Sequence, residues 1–193
     1  MRRAFVPIAA AVLVAGCGIN SVPTAEEEAK GRWADVQSAY QRRADLIPNL
    51  VATVRAASRA ENETLTNVIN ARARATQVQV SPDELADANK VQQFAAAQAA
   101  LSVALRPVQE AYPQLRSQEG FLRLQDQLEG TENRITNAVR DYNQAVQAYN
   151  TRIRTFPDAI GARVIHGAKP LTPFQAVTPG AERAPNIGPS TFE

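Results

Sequence analysis

Few side chains in these 193 residues suit covalent or metal chemistry. The chain has one cysteine, Cys17, and one histidine, His166. A catalytic dyad or zinc site would have to join His166 to distant carboxylates from a stretch with no regular period. Gly161 to Gly167 has no following helix and so is no phosphate loop. The acids fall at helix starts or among solvent-facing charges, and no pair on an apolar face suggests a general acid and base. These residues predict no catalytic set, no metal and no cofactor.

A polar set on one helix is more distinctive. Tyr142-Asn143 and Tyr149-Asn150 repeat seven residues apart, two turns up one face, and Asn133 and Arg140 keep the same spacing on another line. Two readings stay open. Asn133, Arg140, Asn143 and Asn150 could form a recognition surface for a partner peptide or envelope polymer. Alternatively the tyrosines fill a seam and the asparagines fix helix register, as polar seam residues do at some cost in stability. Arg43, Asp45 and Asn49 surround Pro48 and are read as satisfying the Ala44 carbonyl that the proline leaves free, and neighbouring charges.

Cys17 has a different context. Arg2 and Arg3 form a positive start, Ala4 to Val14 is an apolar run too short to span a bilayer, and Val14-Ala15-Gly16 precede the cysteine. This order resembles a bacterial lipobox, in which cleavage leaves the cysteine first and its thiol carries diacylglycerol. Residues 1–16 then form a signal peptide and 17–24 a lipidated tether. Acyl chains there, palmitate among them, would anchor the chain. Gly18, where a retention aspartate would stand, points to the outer membrane if the source has one. Removing Arg2 and Arg3 leaves 21 − 2 = 19 basic against 19 acidic side chains. That balance argues against a general nucleic-acid grip.

The elements that position these residues are helical. The chain is 45% hydrophobic but 6% aromatic, and a single cysteine excludes an internal disulfide. From Phe121 to Phe156 the larger side chains recur every three or four residues, which predicts one long helix over about residues 117–155 with a coiled-coil-like seam. Leu128, Ile135, Tyr142 and Tyr149 should be buried in it. Thr24 and Glu27 read as a capping box, opening a first helix over about 25–75. Pro48 either kinks that helix or breaks it. Ser81-Pro82-Asp83-Glu84 is a second start signal, for a helix over 82–111 that Pro107 kinks and Pro113 ends. The predicted fold is all-α: a long antiparallel helix bundle over residues 25–156, with three long helices, or four if the first breaks at Pro48. Residues 157–193, rich in Pro and Gly, read as an irregular tail. Ile160, Val164, Ile165, Leu171 and Phe174 could dock on the bundle, and the end past Thr178 is expected to be mobile.

Three blocks resemble the LemA family of bacterial envelope proteins. They are Tyr40-Gln-Arg-Arg-Ala-Asp-Leu-Ile-Pro-Asn-Leu-Val51, Glu110-Ala-Tyr-Pro-Gln-Leu115, and Leu128-Glu-Gly-Thr-Glu-Asn-Arg-Ile135 continuing through Arg140-Asp-Tyr-Asn143 and Tyr149-Asn150 to Phe156-Pro157. The resemblance covers roughly Trp33 to Phe174. It implies a long helix bundle at the membrane, with envelope proteins, a membrane metalloprotease among them, as partners. Three departures stand out: a lipobox replaces the usual transmembrane anchor, Pro107 sits where a helix former is expected, and Ala60-Glu61 stands where many members have His-Glu. The last weakens any inherited metal site. The expected function is that of a tethered, non-enzymatic scaffold or adaptor. The alternative is a ligand sensor or enzyme with a site not visible in the sequence.

Overall fold

The computed structural model describes residues 20–57, 63–112, 115 and 118–175. Their regular structure is entirely helical: α1 (Ser21–Ala57), α2 (Glu63–Gln77), a 3-10 turn (Pro82–Glu84), α3 (Ala88–Ala111), α4 (Glu119–Arg152) and α5 (Asp158–Val164). Cys17, and the end past Thr178 expected to be mobile, lie outside the described residues.

The two longest helices, α1 and α4, lie side by side and antiparallel. Arg152 near the end of α4 meets Ser21 at the start of α1, and Glu132 meets Arg43. Helix α2 folds back on α1, and α3 runs back in the direction of α1. The α1 stripe Ala29, Trp33, Val36 and Tyr40 packs with Ile135, Tyr142, Val146 and Tyr149 of α4 and with Val91 and Phe94 of α3. A second apolar cluster holds Ile47, Leu50, Val51 and Val54 with Leu65 and Val68, and with Val108, Tyr112, Leu115 and Phe121.

A polar layer centres on Arg43. The residue is 2% exposed. Nη2 donates to the Gln98 carbonyl at 3.0 Å and to Gln98 Oε1 at 2.9 Å, and Nη1 donates to Ser102 Oγ at 2.7 Å. Glu132 approaches at 3.4 Å, and the guanidinium lies 5.0 Å from the Tyr40 ring centroid. Gln98 also donates to the Ala75 carbonyl at 3.1 Å. One buried cation thus joins α1 to α3 and α4, and Gln98 extends the link to α2. Sliding one helix along another would break these bonds, which makes the layer a register device.

Several expectations need correction. Of the two readings of Pro48 the unbroken one holds, since helix α1 is continuous through it. The expected first helix nevertheless does not reach residue 75 unbroken, because α2 returns antiparallel along α1. Leu65 and Val68 continue the α1 stripe in sequence, yet they pack against its second half. A helical period cannot distinguish a helix that continues from one that folds back on the same apolar face. Helix α1 also starts before Thr24, whose hydroxyl donates to the Asn20 carbonyl. The Ser81 signal forms a 3-10 turn, in which the Ser81 amide donates to Glu84 Oε2, while Asp87 caps α3 by accepting from the amides of Asn89 and Lys90. Leu128 is half-buried, unlike Ile135, Tyr142 and Tyr149, which are buried. The stretch read as irregular contains α5, and only part of it docks. Leu171 and Phe174 are buried, whereas Ile160, Val164 and Ile165 are exposed.

Candidate functional site

Helix α4 gives the repeated Tyr-Asn pairs one common direction, since residues seven apart on a helix lie almost in line. After α5 the chain turns at Gly167, which has φ +55°, a value open to glycine without a Cβ clash. Residues 168–175 then run back along α4 without regular structure of their own. They lie against the asparagines.

Asn150 Nδ2 donates to the Leu171 carbonyl at 2.8 Å, and the Leu171 amide donates to Asn150 Oδ1 at 2.9 Å. Asn143 treats Phe174 in the same way, at 2.9 and 2.8 Å. The tyrosines form a parallel ladder: Tyr149 Oη donates to the Lys169 carbonyl at 3.1 Å and Tyr142 Oη to the Thr172 carbonyl at 2.8 Å. Seven helical residues rise roughly 10.5 Å, and three extended residues span roughly 10 Å. The two repeats therefore stay in step. The bound stretch is itself a triplet repeat, Lys169-Pro170-Leu171 and Thr172-Pro173-Phe174. In each triplet the first carbonyl takes a tyrosine hydroxyl. The central proline has no N–H to satisfy. The third residue pairs with an asparagine and buries its side chain.

Phe174 enters an aromatic box, with ring centroids 6.3 Å from Trp33, 6.0 Å from Tyr40 and 6.3 Å from Phe94. Trp33 is fixed in turn by donating from Nε1 to the Val80 carbonyl at 2.9 Å. Burial pushes the Tyr40 phenol up to about 12 and also raises Tyr142 and Tyr149. All three stay protonated near neutral pH, and Tyr142 and Tyr149 serve as hydrogen-bond donors in the packed seam.

The candidate residues therefore separate into two groups. Asn143 and Asn150 bind the chain's own C-terminal segment. Asn133 and Arg140 are exposed on the outer side of α4, and Arg140 lies 3.3 Å from its neighbour Asp141. The groups around Pro48 also differ from expectation: the Ala44 carbonyl accepts from Arg72 Nε, Arg43 turns to the polar layer, and Asp45 accepts from Gln41. Arg72 was invisible as a partner because it arrives on a different helix. The Lys-Pro-Leu-Thr-Pro-Phe triplets were a sequence signal for the docked segment, legible only against the heptad they match.

An open cleft of about 580 Å³ lies between α1, α2 and α3, lined in part by Gln37, Gln41, Asp45, Thr76 and Gln98. His166 is exposed after α5, and no group of three or more His, Cys, Asp or Glu among the described residues could hold a metal ion. No helix among them is long and apolar enough to cross a membrane. Compared with known proteins, residues 32–188 match the model of the LemA family. None of the curated proteins compared with the chain matches it.

Proposed function

Since this chain belongs to the LemA family, we propose that it is a membrane-tethered, non-enzymatic scaffold or adaptor for other envelope proteins, a membrane metalloprotease among them. The pairing of α1 with α4 carries this reading. Their 37 and 34 residues correspond to roughly 55 and 51 Å of helix. Packed antiparallel and keyed by the Arg43 layer, they make a stiff rod. Helix α1 begins 21 − 17 = 4 residues after Cys17. Acyl chains on that cysteine would hold the rod by one end, and its surface would reach tens of Å into the envelope.

The alternative, a ligand sensor or enzyme, would use the cleft between α1, α2 and α3. Three of the amides that line it are engaged inside the chain. Gln37 donates to the Val80 carbonyl, Gln41 to Asp45, and Gln98 to the Ala75 carbonyl. That supports the scaffold. Capture from cross-linked cells tests it, with the chain's intact mass measured from the membrane fraction. The expected result is a diacylglyceryl Cys17 and a defined set of envelope proteins, fewer of them with Arg140→Glu. An unmodified Cys17 thiol in the mature chain would remove the tether. Purified chain that turned over an envelope substrate would remove the scaffold.

A further inference from the structure

Most large apolar side chains of the bundle are buried, but one end is different. Phe156 is 82% exposed, Ile160 60%, Val164 78% and Ile165 58%. All four fall within ten residues on and beside α5, and Ile160 and Val164, four apart, share one face of it. Residues 152–169 also carry Arg152, Arg154, Arg163 and Lys169 against a single acid, Asp158. That acid is turned inward: it accepts from Ser21 Oγ at 2.7 Å and lies 3.7 Å from Arg152.

The same contacts fix where this patch sits. Arg152 Nη1 donates to the Ser21 carbonyl at 3.0 Å. The start of α1 and the start of α5 are therefore within hydrogen-bond distance. Ser21 is four residue steps after Cys17, and four steps can span at most about 14 Å. A cysteine anchored in a bilayer thus holds the start of α1, and with it the start of α5 at Asp158, within about that distance of the lipid surface. Glu26, Glu27 and Glu28 lie five to seven residues further along α1, roughly 8–10 Å up the axis.

We propose that α5 and its flanks are a second membrane contact, in which Phe156, Ile160, Val164 and Ile165 enter the interface of an anionic bilayer and the surrounding bases meet its headgroups. The proposal rests on the lipid-tether reading of Cys17. Exposed apolar side chains ringed by bases are the composition of an interfacial helix. A helix of this length binds lipid weakly alone, but a short tether raises its effective concentration to the millimolar range. Two attachments at one end also stop the rod from swinging freely about a single flexible point.

The test uses the acylated full chain, purified from membranes and returned to vesicles of phosphatidylethanolamine and phosphatidylglycerol that contain a lipid with a photoactivatable acyl chain. Irradiation and peptide mapping should place lipid adducts on residues 154–165 and none around Val103, which is also exposed. The double variant Ile160→Glu/Val164→Glu should stay with the vesicles through Cys17, keep its helical circular dichroism and lose those adducts by about tenfold or more. Vesicle-bound wild type without adducts on residues 154–165 overturns the proposal and leaves the tether intact. A parallel sample treated with a bifunctional cross-linker that joins two chains through residues 154–165, with no lipid adducts there, overturns it in favour of self-association. Wild type that is not acylated and does not bind the vesicles overturns both readings.

Discussion

Arg72 donates from Nε to the carbonyl of Ala44 at 2.8 Å. That carbonyl would ordinarily accept from the amide of residue 48, which is proline and has none. A buried carbonyl left unpaired costs about 1–3 kcal/mol. The bond explains how α1 stays continuous at Pro48, and it pins α2 to α1 at the same point. Arg72→Ala should destabilise the chain by about that amount. In a Pro48→Ala background the amide returns, and the cost of Arg72→Ala should shrink. A double-mutant cycle in urea measures the coupling, and additive losses would mean that the two residues act separately.

The asparagine ladder should be a stability element. Asn150→Leu and Asn143→Leu each remove a donor and an acceptor from the backbone of the docked segment, and should cost about 1–3 kcal/mol apiece. Asn143→Asp should be worse than its size suggests, because it sets a carboxylate oxygen against the Phe174 carbonyl. Amide hydrogen exchange reports on it directly: the Leu171 and Phe174 amides should lose protection in these variants well before those of Trp33 and Ile135.

Within the seam, burial decides the effect of truncation. Ile135 is 5% exposed and Tyr142 fully buried, so Ile135→Ala should cost about 2–5 kcal/mol. Leu128 is half-buried and lines an open cleft with Phe121 and Leu105, so Leu128→Ala should cost less than Ile135→Ala. Chemical denaturation of the two variants side by side gives the order.

Raised phenols make the fold sensitive to alkali. In the unfolded chain tyrosine ionises near about pH 10. Burial pushes Tyr40 up to about 12 and raises Tyr142 and Tyr149 as well. A raised folded value means that the native state holds its proton longer. Stability is fully present below about pH 10 and is lost as pH rises from there through the folded values. Phenolate absorbance should therefore rise together with loss of helical circular dichroism. Smooth titration of Tyr40, Tyr142 and Tyr149 near about pH 10 in a folded chain would contradict the burial.

Arg140 offers a contrast. It is exposed and its carboxylate contact is its own neighbour Asp141. Arg140→Glu should change stability by no more than about 0.5 kcal/mol. Thermal unfolding checks this, and an intact fold is what lets the same variant report on partner capture.

The sequence alone determined the helical class, the apolar stripes and the seam of Ile135, Tyr142 and Tyr149. These are local: a period near 3.6 is written in neighbouring residues and survives whatever they pack against. Pro113 likewise fell just past the end of α3 because its effect on the preceding turn is local. The tertiary structure decided everything that depends on a partner distant in the chain. Whether Leu65 continued α1 or returned to it could not be read from its spacing. Nor could the source of the Ala44 hydrogen bond, or the choice of Arg43 as the centre of a polar layer. The Tyr-Asn repeat was visible, but its meaning was not. That required the rise of two helical turns on α4 to be matched, in space, with three extended residues more than twenty positions away.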